Sequence, residues 1–212
     1  MDSSNIELEK PAIYVVGTPI GNLSDFSLRG QQVLKSVDFI LAEDTRKSGL
    51  LLQRYKVKNQ MFSYHDFSDA TRVEEILGII FEKSAAVALV TDSGTPLISD
   101  PGFTIVKKGS EKGVPVIPIP GPSALIACLS VSDVPIDRFI FEGFLPSKAS
   151  ARVSHLRKLK HESRSMVFYE APHRIVKFLE SVGNIMGDSH TLQKLYNTVR
   201  SFIKNHTSRL MH

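Results

Sequence analysis

Three turn-forming segments each close an apolar, β-branched run, and their placement constrains the fold more than any other feature of the chain. Gly17-Thr18-Pro19-Ile20-Gly21-Asn22 follows a run ending at Val16, and Asp92-Ser93-Gly94-Thr95-Pro96-Leu97-Ile98-Ser99-Asp100-Pro101-Gly102 follows one ending at Val90. Pro120-Gly121-Pro122-Ser123-Ala124 follows a third, ending at Ile119. In an open α/β sheet, ligands bind beyond the carboxyl ends of the strands, where glycine lets backbone amides approach and proline holds a loop in shape. The three segments therefore predict one ligand cleft.

Strand and helix patterns alternate around these turns. Strands are predicted at Ile13–Val16, Val37–Ala42, Met61–Tyr64, Val87–Val90 and Val114–Ile119. Helices are predicted at Ser27–Ser36, from an Asp44 or Thr45 cap to about Tyr55, from a Ser68 or Asp69 cap through Ile80, and at Phe103–Lys112. Such alternation implies parallel strands joined by helical crossovers. After a short helix ending at Leu129, Val131–Asp137 reads as a linker, and a second α/β pattern follows: a strand at Phe139–Phe144, a basic helix at Ala151–Lys160, a strand at Met166–Tyr169 and a helix from Pro172 to Val182. Leu192, Leu195, Tyr196, Val199, Phe202 and Ile203 form one apolar face of a terminal helix. The expected domains are 11–120 and 121–212, the second shortened, with 189–212 a divergent helical tail.

With 212 residues, 42% hydrophobic and 23% charged, the chain is long enough to bury real cores. No apolar run approaches bilayer length and the first ten residues lack a signal-like apolar stretch, which predicts a soluble cytosolic protein. The lone cysteine, Cys128, excludes an internal disulfide and is expected as a packed core thiol. Charge is unevenly spread: residues 1–145 hold 14 Lys and Arg against 18 Asp and Glu, and residues 146–212 hold 12 against 4. That imbalance points to a polyanion-binding surface on the second half, or to an ordinary solvated basic face.

No Gly-x-Gly-x-x-Gly follows the first strand and no Gly-x-x-x-x-Gly-Lys-Ser/Thr occurs, which disfavours dinucleotide binding and P-loop hydrolysis. The histidines lack metal-ligand spacing, so no metal site is expected. What remains is a set of ordered motifs: Gly17–Leu23, Ala42-Glu43-Asp44-Thr45-Arg46, His65, Asp92–Gly102, Pro120–Ala124, Phe141–Pro146 and Tyr169-Glu170-Ala171-Pro172-His173-Arg174. In order and spacing, over about Ile13 to Asp188, they resemble the tetrapyrrole methylase superfamily, in its branch that methylates small-subunit ribosomal RNA.

The resemblance implies a two-domain α/β fold, with a mostly parallel N-terminal sheet flanked by helices and an incomplete second α/β domain. It further implies a homodimer that binds S-adenosyl-L-methionine and methylates a cytidine ribose 2′-oxygen in the decoding region of 16S rRNA on the small ribosomal subunit. By the same resemblance the cofactor falls to Pro19, Asp92, Gly94, Thr95, Pro96, Leu97, Ile98, Ser99, Pro120, Gly121 and Ser123, with Phe144, Tyr169, Glu170 and Ala171 completing the pocket. Glu43, Asp44 and Arg46 read either as a capped helix start or as a cleft rim, where a carboxylate takes the 2′-hydroxyl proton and Arg46 holds phosphate. His65 touches substrate or caps the next helix. Arg152, His155, Arg157, Lys158, Lys160 and Arg164 are expected against rRNA backbone, and His173 and Arg174 against substrate.

After Asp188 the family continues with an Arg-Glu-Leu-Thr-Lys strand, whereas this chain has Ser189-His190-Thr191-Leu192-Gln193-Lys194-Leu195-Tyr196 and stops at His212. A shortened second domain is therefore expected. Two other readings stay open: a methylase acting on a tetrapyrrole or another small acceptor, and a noncatalytic RNA-binding protein.

Overall fold

The computed structural model describes residues 6–65 and 70–187, and the chain divides into two compact units on either side of Ala124. The expected caps Ser68 and Asp69 and the expected tail helix lie outside the described residues.

In the first unit, strands and helices alternate as β1 (Ala12–Val16), α1 (Leu28–Ser36), β2 (Phe39–Ala42), α2 (Thr45–Arg54), β3 (Met61–Ser63), α3 (Ala70–Glu82), β4 (Ala86–Val90), α4 (Phe103–Glu111) and β5 (Val116–Ile119). The strands form one parallel sheet in the order β3-β2-β4-β1-β5. Successive strand residues point to opposite faces, so Ile13, Leu41 and Leu89 join a core with Ile76, Leu77 and Ile80 of α3 and Ile105 of α4. Tyr14, Ile40 and Ala88 join the other core, with Val33 and Leu34 of α1 and Leu52 of α2. Because both faces are covered, β4 is apolar and buried at every residue.

Local chemistry sets the boundaries. Ser27 Oγ accepts from Gly30 N at 3.0 Å and starts α1; Asp44 Oδ1 accepts from Arg46 N at 2.9 Å and starts α2. β2 begins two residues later than expected because Val37 caps α1 and Asp38 bonds sideways, accepting from Ala86 N and from Lys10 Nζ, both at 2.7 Å. β5 begins at Val116 rather than Val114, since Pro115 has no N–H for the ladder.

The second unit contains most of α5 (Ala124–Leu129), then β6 (Phe139–Phe144), α6 (Ala149–Leu159), β7 (Ser165–Tyr169), a 3₁₀ turn at Pro172–Arg174 and α7 (Ile175–Met186). β6 and β7 pair in parallel with a bulge between Phe141 and Gly143, where Gly143 takes φ 60°. Leu145, Leu156, Phe178, Val182 and Met186 form its core. Two expectations are corrected here. Val131–Asp137 lies inside this unit, because the Ser165 hydroxyl donates to the Pro135 carbonyl. Cys128 is half-buried rather than packed in a core, since α5 buries only Leu129 fully.

Candidate functional site

The three bends emerge from the adjacent carboxyl ends of β4, β1 and β5, and they touch. Thr18 N donates to Gly94 O at 2.8 Å while Gly94 N donates to Thr18 O at 3.1 Å, joining the first bend to the second. Thr95 Oγ1 donates to Pro122 O at 3.4 Å, joining the second to the third. Between first and third the approach is bare backbone: a Cβ added to Gly17 would lie 2.8 Å from Gly121 Cα. The predicted convergence of these loops is therefore present within the first unit alone.

The middle bend is held in an unusual shape. Gly94, Leu97, Ser99 and Gly102 all have positive φ, at 86°, 72°, 64° and 133°. For Leu97 and Ser99 this left-handed backbone costs on the order of 1 kcal/mol each. Surrounding contacts enforce it: Leu97 packs where a Gly102 side chain would go, with Leu97 Cδ1 3.0 Å from that Cβ position, and Leu97 N donates to Pro101 O at 3.3 Å. Of the expected cofactor residues, Pro19, Gly94 and Pro96 are buried supports, Thr95, Leu97 and Ser123 are half-buried, and Ile98, Ser99, Pro120 and Gly121 are exposed.

Beside this cluster, a cavity of about 410 Å³ is lined by Glu43, Asp44, Thr45, Arg46, Ser63, His65 and Asp92, from the carboxyl ends of β2, β3 and β4. Its carboxylates are cross-linked. Asp92 accepts from Asp44 N at 3.2 Å and from Lys47 Nζ at 2.5 Å, and Asp92 N donates to Glu43 Oε2 at 3.4 Å. Asp44 accepts from the Arg46 guanidinium on both oxygens, at 3.3 and 3.2 Å; that contact holds its carboxyl below the usual range and makes Asp44 a poor proton acceptor. Asp100, on the neighbouring bend and outside that lining, behaves oppositely. Burial, then the charges of Glu43 and Asp92, push its carboxyl up to about 6. Reading the sequence missed Asp100; its one signal is a second aspartate inside the same Gly/Pro bend. His65 Nε2 and Ser63 Oγ share a hydrogen bond of 3.1 Å on the cavity wall.

In the second unit, Phe141 and Phe144 pack against Tyr169 with ring centroids 4.8 and 5.5 Å apart, and Tyr169 Oη accepts from Leu125 N at 3.1 Å. Glu170 and Arg174 are engaged with each other. The Glu170 side chain is 3% exposed, and its carboxylate is occupied in closing its own turn, accepting from Ala171 N at 2.8 Å and from Arg174 at 3.0 and 3.1 Å. Arg174 also donates to Leu145 O at 2.8 Å, so the pair braces β7 against β6 instead of presenting a charge.

Arg152, expected against rRNA, is buried. Its Nε donates to Ser181 Oγ at 3.0 Å and its Nη1 to the Pro146 and Ser147 carbonyls at 3.5 and 3.2 Å. Arg152→Ala is expected to destabilise the protein by about 1–3 kcal/mol in chemical denaturation, through lost bonds and unsatisfied carbonyls. Arg157, Lys158 and Lys160 are exposed, as is His173. His155 pairs with Glu142 at 2.8 Å and Arg164 with Glu162 at 2.7 Å.

Comparison with known proteins bears on the same regions. Residues 12–194 match the model of the tetrapyrrole (corrin/porphyrin) methylase family. Ribosomal RNA small subunit methyltransferase I of Escherichia coli O157:H7 is 44% identical over 177 residues, 84% of this chain and 62% of that protein. The proteins of the same name from Xylella fastidiosa and Thermotoga maritima are 45% and 43% identical, covering 88% and 83% of this chain and 70% and 78% of theirs. The chain thus spans about three fifths of the Escherichia coli relative's length. Among solved structures, a cobalt precorrin-4 methyltransferase described as a cobalamin biosynthetic enzyme superposes with a TM-score of 0.59 at 16% identity, over 87% of this chain and 77% of that one. At that identity the likeness is one of fold.

Proposed function

The chain belongs to the tetrapyrrole methylase family, and from that premise we propose that it is an S-adenosylmethionine-dependent methyltransferase acting on a cytidine ribose 2′-oxygen in the decoding region of 16S rRNA. The observation that carries this reading is the welded cluster of three bends beside an anionic cavity. The names of the relatives support the acceptor.

The residues fit the cofactor chemically. Gly17, Gly94 and Gly121 offer backbone without side-chain bulk, and Glu43, Asp92 and Asp100 give the strand ends a negative potential suited to a sulfonium cation. When bound, the cofactor supplies a methyl group already activated by its sulfonium, so the chain contributes alignment, exclusion of water and a proton acceptor. Asp100, poised near neutrality, accepts the 2′-hydroxyl proton, while Lys47 and Asp44 N hold Asp92 in place. Arg46, 90% exposed at its side chain, meets phosphate at the rim.

The experiment is to incubate the protein with methyl-labelled cofactor and unmodified small ribosomal subunits and to map labelled ribose. Label on a 2′-oxygen of a decoding-region cytidine is expected. Absence of label from folded protein that binds the cofactor rejects the acceptor, and absence of calorimetric cofactor binding rejects the enzyme assignment. The reading also takes a homodimer as the active form, which sedimentation equilibrium checks.

A further inference from the structure

A second cavity, of about 360 Å³, opens at the other end of α2, with Leu52, Val57 and Met61 on its apolar side and Gln53, Lys56 and Lys58 around it. Since α2 runs from the carboxyl end of β2 to the amino end of β3, this cavity lies at the far end of the sheet from the carboxylates. Lys56 sits in left-handed backbone, φ 55°, at the helix terminus where Val57 N donates back to Leu52 O at 2.9 Å. Glycine is the usual residue at such a turn. A lysine there trades stability for a charge at the mouth of the cavity, and an outlier of this kind points toward function.

The two cavities are linked by one face of α2. Arg46, Leu50 and Arg54 recur at four-residue spacing and are exposed, Leu50 by 70%. Residues 45–58 hold five Lys and Arg and no Asp or Glu, within a half of the chain that is acidic overall. Among the described residues, Arg54, Lys56 and Lys58 make no ion pair. Arg46 and Lys47 pair with Asp44 and Asp92 at the first cavity, whereas the three cations toward the second, apolar-floored cavity are unpaired; that pattern matches a flexible polyanion that carries flat apolar groups: single-stranded RNA.

We propose that α2 is an RNA track, along which the strand whose ribose enters the first cavity runs for about 15 Å to seat a neighbouring nucleotide in the second cavity, its phosphate on Lys56 and Lys58. This rests on the RNA-acceptor reading above, but assigns the guiding surface to the acidic first unit rather than to the basic second half.

The test uses the full chain and the double variant Lys56→Gln/Lys58→Gln, titrated with a fluorescent single-stranded oligoribonucleotide over a series of salt concentrations. Each lost phosphate contact is expected to lower the slope of log K against log salt by about 0.7, so by about 1.4 for both, with several-fold weaker binding at low salt. Cofactor affinity and circular dichroism stay unchanged. An unaltered slope in the double variant overturns the track while leaving the methyltransferase reading intact. Wild-type protein that binds no RNA, or that binds anionic lipid vesicles in its place, also overturns it. Failure of cofactor binding in wild type, with the slope change still present, rejects the enzyme assignment and supports the track.

Discussion

Gly121→Ala is expected to weaken cofactor binding by about 100-fold and to lower the unfolding free energy by about 2–3 kcal/mol. The added methyl would lie 2.6 Å from Gly17 O and 2.9 Å from Gly17 Cα, so both partners are main chain and no rotamer change relieves the clash. Nor can the strands part cheaply, because Gly17 N donates to Ile119 O at 3.1 Å immediately before the contact. Relief must come from moving one bend off another, and a shift near 1 Å at a binding constellation costs about 100-fold. Calorimetric titration reads the affinity, and thermal unfolding the stability, with a fall in Tm of roughly 5–10 °C for a chain of this size. Gly78→Ala supplies the contrast: a Cβ in the middle of α3 meets nothing within 4 Å, so this variant is expected to gain about 0.5–1 kcal/mol from helix propensity. If both substitutions behave alike, the close approach of the bends is not what holds the site.

Asp100→Asn is expected to lower kcat by about 100-fold or more while leaving cofactor affinity nearly intact, and to remove the acid limb of the rate profile near pH 6. Stability should move the other way. The folded carboxyl binds its proton up to about 6, above its ordinary 3.8. Between these values the native state therefore holds more protons than the unfolded state, and its stability falls as pH rises. Below 3.8 the carboxyl is neutral in both states and this penalty is absent; above 6 it is fully present. The asparagine variant escapes it and should be the more stable protein at pH 7, by about 1 kcal/mol once solvent screening of a half-buried group is allowed for. Urea titrations of both proteins at pH 4 and pH 7 check this; a variant less stable than wild type at pH 7 shows that Asp100 is a structural support instead.

These two residues mark where the sequence was readable and where it was not. Gly121 stands out because an apolar run followed by Pro120-Gly121-Pro122 announces a strand end and a tight bend, both local facts. The same logic places every strand of the first unit to within two residues at its start. Asp100 does not stand out, since its perturbation arises first from burial and then from Glu43 and Asp92; burial is a tertiary fact, and Glu43 is brought near only by the β2-β4 neighbourhood in the sheet. Arg152 fails for a related reason: its helix is basic by composition, but Ser181 and two carbonyls from the preceding loop decide which way this one side chain turns. Glu170 belongs to a motif whose backbone was legible, yet its partner Arg174, four residues on, absorbs its charge. In α2 the charge asymmetry of the whole chain concealed a local strip of opposite sign.

Strand order carries a consequence for biogenesis. β1 is made first, but both of its neighbours, β4 and β5, come later, with Ile13 in register with Val87 and Val116. A ribosome must therefore extrude the chain through Val90 before the oldest strand finds its first mate and through Ile119 before it has both, and during that interval Ile13, Tyr14 and Val16 stay uncovered. Long-range closure of this sort slows acquisition of the native state and exposes sticky surface. Nascent chains should lean on holdase chaperones until residue 119 has cleared the exit tunnel, and synthesis paused before that point should yield aggregates rather than a partly finished domain.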